Sequence, residues 1–100
     1  MNDGLAAAAA IAGDAAQLQR AIESWLVAYI ADLLDIPHAR VDPTKEFSKF
    51  GLDSSAAIGM TGDLAAWLGI ELSPTVAYDW PTIRELAGHL SAMASTGGRA

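Results

Sequence analysis

The sequence predicts an all-α fold, a small four-helix bundle with three main helices and one short helix. Three observations support this prediction. Apolar residues recur at three- and four-residue steps in the main segments, which is the spacing of an amphipathic helix. Helix start and stop signals flank these segments, and no stretch alternates well enough to indicate a strand. The chain has 100 residues, which suffices for one compact domain.

The first main helix is expected over residues 15–34, where one apolar stripe is continuous. The opposite face carries polar residues that include Glu23 and Asp32. Pro37 ends the helix, because the residue before a proline is disfavoured in the α conformation. The apolar stripe consists of Leu18, Ile22, Trp25, Leu26, Tyr29, Ile30, Leu33 and Leu34.

A long connection follows over residues 35–53, and two prolines interrupt it. A loop of this length in a compact domain either serves a function or wraps the core. Burial preferences predict that its apolar residues anchor it in the core. These anchors are Ile36, Val41, Phe47, Phe50 and Leu52.

The second main helix is expected over residues 54–68, and Gly69 stops it at the C′ position. Gly59 and Gly62 lie inside it, and each costs about 1 kcal/mol relative to alanine. Either a partner or a bound group approaches closely there, or the helix is a loosely specified surface helix. The predicted core face consists of Ala57, Ile58, Thr61, Leu64 and Leu68, with Met60 near its edge.

A short helix over residues 75–78 and a last main helix over residues 82–94 complete the bundle. Thr82 and Glu85 have the spacing of a capping box, in which each side chain binds the other residue's backbone N–H. The last helix should bury four apolar residues, and this burial could extend to a methionine. The four residues are Ile83, Leu86, Ala87 and Leu90, and the methionine is Met93.

The domain boundaries follow from composition. We expect a flexible, alanine-rich N-terminal segment over residues 1–14, the folded domain over residues 15–94, and a flexible tail over residues 95–100. The N-terminal apolar run is too short to span a membrane and lacks the basic region of a signal peptide. A cytoplasmic, monomeric protein is therefore expected.

Charge and residue types exclude several function classes. The net charge of −6 disfavours nucleic-acid binding, because an acidic surface repels phosphate backbones. The chain has no cysteine, so disulfides and thiolate metal sites are excluded. Its two histidines are distant in sequence and indicate no metal site.

The most informative segment covers residues 50–59. Gly51 supplies a turn, and Asp53 and Ser54 stand immediately before a predicted helix. This arrangement exposes one hydroxyl at a helix N-terminus, where backbone N–H groups and the macrodipole favour a phosphate.

The segment Phe50-Gly51-Leu52-Asp53-Ser54 resembles the attachment site of acyl carrier proteins, in which a phosphopantetheine arm is esterified to the serine of a Gly-x-Asp-Ser motif. Three further blocks at the family's spacing extend the resemblance over about residues 17–93, and they look more like polyketide-synthase carriers than fatty-acid-synthase carriers. The blocks are Trp67-Leu68-Gly69-Ile70-Glu71-Leu72, Ser73-Pro74-Thr75 leading to Tyr78-Asp79-Trp80-Pro81-Thr82-Ile83, and Leu86-Ala87-Gly88-His89-Leu90.

The resemblance implies a carrier, not an enzyme. A phosphopantetheinyl transferase would attach 4′-phosphopantetheine to Ser54, and the arm would hold acyl intermediates as thioesters in polyketide or lipid-like natural-product biosynthesis. Asp53 would orient the transferase or its metal, or would only cap the helix, and both roles stay open.

Partner enzymes also follow from the resemblance. Three stretches are similar to carriers that fatty acyl-AMP ligases load, so the expected loading enzyme is such a ligase or an acyltransferase. A ketosynthase or another acyl-modifying enzyme would act next. The stretches are Asp53 to Ala57, Thr61 to Leu64 and Trp67 to Pro74.

Two departures from the family pattern matter for function. Ser55 stands where the family usually has leucine, which adds a second hydroxyl, although the motif register selects Ser54. Asp63 is the one charged residue within the second helix, so docking should rely on shape and apolar contact. We expect an interface centred on Ser55, Met60 and Trp67, and the full docking set is Leu52, Ser55, Met60, Asp63 and Trp67.

Two alternatives remain beside the acyl carrier. One is an unmodified helical interaction domain, whose tryptophans would anchor a partner. The other is a peptidyl carrier, loaded with an amino acid on the same arm. A hydrolase is disfavoured, because Ser54 lies in no Gly-x-Ser-x-Gly elbow and adjacent residues rarely form a triad.

Overall fold

The computed structural model describes residues 15–97, which form four α-helices and two short 3₁₀ helices. Within this range there is no β-strand, and one isolated antiparallel bridge pairs Glu46 with Thr82. The predicted all-α class and the small four-helix bundle are therefore confirmed. The elements are α1 Ala15–Leu34, a 3₁₀ helix His38–Arg40, a 3₁₀ helix Phe47–Phe50, α2 Ser54–Leu68, α3 Val76–Asp79 and α4 Ile83–Gly97.

The C-terminal ends of α1 and α2 are closed by the same kind of backbone hydrogen bond. After α1, Asp35 adopts a left-handed conformation with φ 57°, and the Ile36 N–H donates to the Ala31 carbonyl at 2.9 Å. After α2, Gly69 has φ 73°, and the Ile70 N–H donates to the Ala65 carbonyl at 3.1 Å. Both ends share this six-residue bond of a Schellman motif; at α1 the Asp35 N–H donates to the Asp32 carbonyl, whereas at α2 the Gly69 N–H donates to the same Ala65 carbonyl.

The start of α4 is capped in part as the sequence predicts. The Glu85 N–H donates to the Thr82 hydroxyl at 3.0 Å, which is one half of a capping box. The reciprocal half differs, because the Glu85 carboxylate accepts from the Thr82 hydroxyl at 3.3 Å. The predicted bond from that carboxylate to the backbone N–H of Thr82 is therefore replaced by a side-chain bond.

The last helix is longer than predicted. It continues to Gly97, so residues 95–97 of the expected tail are helical. No proline lies in residues 95–97 to interrupt the helix. The predicted N-terminal segment 1–14 and the rest of the tail lie outside the described residues.

One hydrophobic core joins all the elements, with α1 packed along α4. The long connection wraps this core, as the sequence predicts. Val41, Phe47, Phe50 and Leu52 are buried, and Ile36 packs against the core from its edge. Two backbone bonds tie the connection to the start of α4: the Phe47 N–H donates to Pro81 at 2.8 Å, and the Arg84 N–H donates to Pro43 at 3.0 Å.

Three predicted core positions are wrong. Met60 is 0% exposed and Ile58 is 43% exposed, the reverse of the predicted order. Ile58 follows Ala57 by one residue, which is a rotation of about 100° around the helix axis, and its side chain therefore faces solvent. The buried stripe of α2 consists of Ala57, Met60, Thr61, Leu64 and Leu68. Leu33 is 50% exposed, although its neighbours Ile30 and Ala31 are buried and Leu34 packs against the core.

The burial of α4 ends before its methionine. Ile83, Leu86, Ala87 and Leu90 are all buried, as the sequence predicts. Met93 is exposed, so the apolar stripe does not extend to it.

No helix within residues 15–97 has the length and apolar character that a membrane span needs.

We expect two leucine-to-alanine substitutions in α1 to have different effects on stability. Leu26 is fully buried, so Leu26→Ala should lower the free energy of unfolding by about 2–5 kcal/mol. Leu33→Ala removes the same atoms from a half-exposed site and should cost less than about 1 kcal/mol. Urea unfolding followed by circular dichroism measures both values. Equal losses would contradict this arrangement of α1.

Candidate functional site

The turn before α2 controls how the chain enters that helix. Gly51 ends the 3₁₀ helix Phe47–Phe50 with φ 86°, a left-handed conformation that favours glycine. Leu52 then buries its side chain in the core, with 8% exposed. Because Leu52 is anchored, the next residues leave the core and begin α2 at the surface.

Asp53 caps α2. Its backbone is extended, with φ −85° and ψ −176°, and its Oδ1 accepts from the Ala56 N–H at 2.9 Å. Its carbonyl accepts from the Ala57 N–H at 2.9 Å, which begins the helical bonding. The predicted capping role of Asp53 is therefore confirmed, and its proposed role toward a modifying enzyme stays a prediction.

Ser54 and Ser55 are the first two residues of α2, and both are exposed. Helix geometry leaves their backbone N–H groups without intrahelical acceptors, because these groups lie in the first turn. Together with the positive end of the macrodipole, they favour an anion at this end of α2. The chemistry of the site therefore fits a phosphodiester on a serine hydroxyl.

A small cleft lies beside the serines. Its volume is about 170 Å³, and it lies between the turn, α2 and α3. Leu52 and Ala57, the residues on either side of the capped turn, both contribute to its wall. Neither Ser54 nor Ser55 is among the lining residues of this cleft. It is lined by Phe47, Ser48, Leu52, Ala57, Ala77, Tyr78 and Pro81.

The predicted docking residues do not form one surface. Ser55 and Asp63 are exposed on α2, and Trp67 is half-buried. Leu52 and Met60 are buried in the core, so the prediction that they contact a partner is wrong. Both are apolar, and their place on the inward side is decided by packing against other elements.

The exposed face of α2 is nearly neutral and contains one large apolar residue that the sequence analysis assigned to the core. That residue is Ile58. A Cβ added at Gly59 or Gly62 would meet no atom within 4 Å, so both glycines face open space. Thr61 takes an inward position on this helix, and its buried hydroxyl donates to the Ala57 carbonyl at 2.9 Å.

Three aromatic rings connect α1 to α2 at the surface. Trp25 stacks on Tyr29 with 5.1 Å between ring centroids, and on Trp67 with 5.6 Å. The Tyr29 hydroxyl donates to Asp63 at 3.0 Å, which engages the charged group of α2. Burial, the hydrogen bond to Asp63 and the charge of Asp63 together raise the pKa of Tyr29.

Within residues 15–97, no hydrogen bond joins either histidine to Ser54 or Ser55. The His89 ring stacks on Trp80 at 4.4 Å, and His38 lies beside α1. Among residues 15–97, no group of three or more histidine, cysteine or acidic side chains could hold a metal ion.

Comparison with known proteins identifies the class to which this fold and site belong. A family model described as "Phosphopantetheine attachment site" matches residues 24–90, which include the capped turn and both serines. The chain therefore belongs to the phosphopantetheine-binding carrier family, and family membership implies a covalently attached 4′-phosphopantetheine. Carrier domains of this kind are generally non-catalytic.

Within that family, the relatives are acyl carriers and polyketide synthases. The chain is 43% identical over 51 residues to the acyl carrier protein TtuC of Teredinibacter turnerae, which covers 51% of the chain and 59% of the relative. It is 31% identical over 77 residues to a phenolphthiocerol/phthiocerol polyketide synthase of Mycobacterium tuberculosis, covering 77% of the chain and 4% of that synthase. The chain thus spans less than two thirds of either relative.

Solved structures confirm the acyl-carrier fold. An acyl carrier protein from Anabaena sp. PCC 7120, with a variant phosphopantetheinylation-site sequence, has a TM-score of 0.72 and 36% identity, covering 76% of this chain and 86% of that one. A free-standing peptidyl carrier protein from Acinetobacter baumannii has a TM-score of 0.69 and 31% identity, covering 74% and 92%. Acyl and peptidyl carriers therefore share this fold.

The environment of Tyr29 leads to a testable pH dependence. We expect its phenol to titrate above the ordinary pKa of about 10. Asp63→Asn removes the charge, so the pKa should fall but stay raised, because burial is the largest cause. Ultraviolet absorbance of tyrosinate in a Tyr78→Phe background measures it.

The same shift affects stability. A pKa raised by folding favours the neutral phenol, so its stabilisation is complete below the ordinary pKa and is lost as pH rises through the folded value. Alkaline unfolding should therefore lose part of its pH dependence in Tyr29→Phe. An unchanged Tyr29 titration in Asp63→Asn would contradict the coupling between these two residues.

Proposed function

We propose that this chain is an acyl carrier domain modified on the Ser54 hydroxyl. The observation that carries the proposal is an exposed serine at the first position of α2, directly after the capping residue Asp53. It lies within the matched family region, in the Gly-x-Asp-Ser register. When bound, the phosphopantetheine arm supplies a thiol on which acyl groups are held as thioesters.

The residues around Ser54 hold the attachment point and perform no chemistry on the cargo. Asp53 fixes the start of α2, Leu52 anchors the turn, and the first-turn N–H groups stabilise the phosphodiester. Ser54 is favoured over Ser55 because it is the first residue of the helix and directly follows the cap. No acid or base of this chain is required, so we propose that the domain itself is not an enzyme.

The acyl cargo is supported by the relatives, which are an acyl carrier protein and polyketide synthases. The likeness to a peptidyl carrier shows that the fold alone does not select the cargo. Comparing fatty acids with amino acids in loading assays on the modified protein separates the two. The proposed biosynthetic setting is polyketide or lipid-like natural-product synthesis.

Three kinds of partner enzyme follow from this role. A phosphopantetheinyl transferase modifies Ser54, and a fatty acyl-AMP ligase or an acyltransferase loads the arm. A ketosynthase or another acyl-modifying enzyme then uses the acyl group. The proposal assigns all three to partners, and the monomeric state and cytoplasmic location stay predictions from the sequence.

We propose that these partners dock on the exposed face of α2. With Met60 buried, the apolar contact of this face is Ile58, flanked by Ser55 and Gly62. Asp63 is engaged by the Tyr29 hydroxyl, so this face offers little free charge. Shape and apolar contact therefore guide docking more than ion pairs do.

The modification site is tested by intact mass. After incubation with coenzyme A and a broad-specificity phosphopantetheinyl transferase, the wild type and Ser55→Ala should each gain one phosphopantetheine group. Ser54→Ala should gain none, because the alcohol that forms the ester is missing. The two variants are matched neighbours at exposed positions, and circular dichroism checks that both fold.

Two outcomes of this experiment contradict the proposal. Gain in Ser54→Ala but not in Ser55→Ala would move the arm to the second serine. No gain in the wild type would favour the unmodified interaction domain.

The docking face is tested by transferase kinetics. Ile58→Ser removes apolar contact from an exposed position, so kcat/KM for modification should fall about tenfold while stability changes little. Asp63→Asn should stay within about twofold, because exposed charge pairs contribute little. A larger loss in Asp63→Asn than in Ile58→Ser would overturn the proposed apolar docking.

A further inference from the structure

A second cleft, larger than the one beside Ser54, lies on α1. Its volume is about 410 Å³, and four residues of one α1 face form its wall: Trp25, Ala28, Tyr29 and Asp32. His38 from the following 3₁₀ helix closes one side. Ala28 has only a methyl side chain, and the cleft is shallow and open to solvent. None of these residues lines the cleft at the serines.

The electrostatics of this cleft favour a cation. Asp32 lies in the last turn of α1, and that turn contains no basic residue. The C-terminal end of a helix carries partial negative charge, which favours a cation and disfavours a carboxylate. Within residues 15–97, no side chain forms a hydrogen bond or ion pair with the Asp32 carboxylate. The negative charge is therefore left without a partner in this part of the chain.

The aromatic rings of the cleft are held in place. Trp25 stacks between its neighbours at 5.1 Å from Tyr29 and 5.6 Å from Trp67, and Tyr29 is bonded to Asp63. Rings that are already ordered lose little freedom when a ligand binds. Because Trp25 already stacks on two rings, a flat cation beside Asp32 would stack on the Tyr29 ring rather than on a face of Trp25.

The neighbouring cleft provides a comparison within the same molecule. It lies on the other side of His38 and measures about 290 Å³. Its wall contains Arg20 as well as Glu23, and no aromatic ring other than that of His38. A cation entering there would meet a resident cation. Of these two clefts, the one at Trp25 combines tryptophan and tyrosine rings with an unpaired carboxylate.

We propose that the cleft at Trp25 binds an arginine side chain of a partner protein. Charge complementarity selects a cation, since the chain carries a net charge of −6 and Asp32 has no partner among residues 15–97. Arginine fits better than lysine, because a planar guanidinium stacks on aromatic rings and binds a carboxylate with two parallel bonds. This site is separate from Ser54 and does not depend on the arm, so a partner can hold the domain there while the arm works elsewhere.

The experiment is a nuclear magnetic resonance titration of the full chain with a capped Gly-Arg-Gly peptide. The control peptide replaces arginine with citrulline, a neutral side chain of nearly the same shape. We expect the arginine peptide to shift the indole N–H signal of Trp25 and the amide of Asp32. The indole signal of Trp80, which stacks on His89, should not move and is the internal control.

Three variants complete the test. Ala28→Leu fills the cleft and Asp32→Asn removes its charge without changing its size, so each should weaken binding at least about fivefold. Glu71→Gln removes an exposed acid elsewhere and should leave binding unchanged. Dispersed amide spectra show that the variants fold, and Asp32→Asn remains informative if Ala28→Leu does not fold.

The proposal is overturned if citrulline and arginine peptides shift the same signals equally. It is also overturned if folded Ala28→Leu and Asp32→Asn bind as tightly as the wild type. Occupation of the cleft by a second copy of the chain would also overturn it, and would appear as self-association that Ala28→Leu abolishes in sedimentation experiments. Modification of Ser54 is measured separately by mass, so either proposal can fail alone.

Discussion

Burial of Leu52 and the left-handed turn at Gly51 determine where and in which direction α2 begins. The core holds the leucine, so the two following residues emerge at the surface, and the Asp53 carboxylate then binds the Ala56 N–H at 2.9 Å. Moving this start by one residue would leave a different side chain at the first helical position. The location of the Ser54 hydroxyl, the proposed attachment point, is thus a consequence of core packing and of one helix cap.

Local signals predicted most of the fold. The bounds of α1 and α2 agree with the structure, because their ends depend on residues close in sequence, such as Asp53 and Gly69. The positions that were wrong depend on distant contacts. Ile58 and Met60 have similar apolar character, and only the packing of α2 against the other helices decides which of them is buried. Helix periodicity alone predicts that α2 has a buried apolar stripe, but it does not decide which apolar residues at the edge of that stripe are buried.

The candidate site likewise contains some features that the local sequence determines and others that depend on distant contacts. The cap, the turn and the exposed serine lie within a few residues of one another, so the sequence contains the information for all of them. The aromatic contacts were not predictable, because Trp25 and Trp67 belong to different helices and their rings meet only after these helices pack. The cleft on α1 also requires His38 from the following 3₁₀ helix. Apolar spacing assigned Trp25 and Tyr29 to the core, and their half-buried position instead makes them walls of a surface cleft.

The Tyr29 hydroxyl links these two parts of the surface. It donates a hydrogen bond to the Asp63 carboxylate on α2. The Asp32 carboxylate on α1, by contrast, has no partner within residues 15–97. The face that leads away from Ser54 therefore carries one charge, Asp63, which is already hydrogen-bonded, and the carboxylate without a partner lies on another helix. Because apolar contact is nondirectional and falls off quickly, it tolerates several partner shapes, whereas a charged aromatic cleft selects one kind of side chain. The two proposed sites lie on different faces, so a carrier that uses both would present the same arm to different enzymes on one face and distinguish partners on the other.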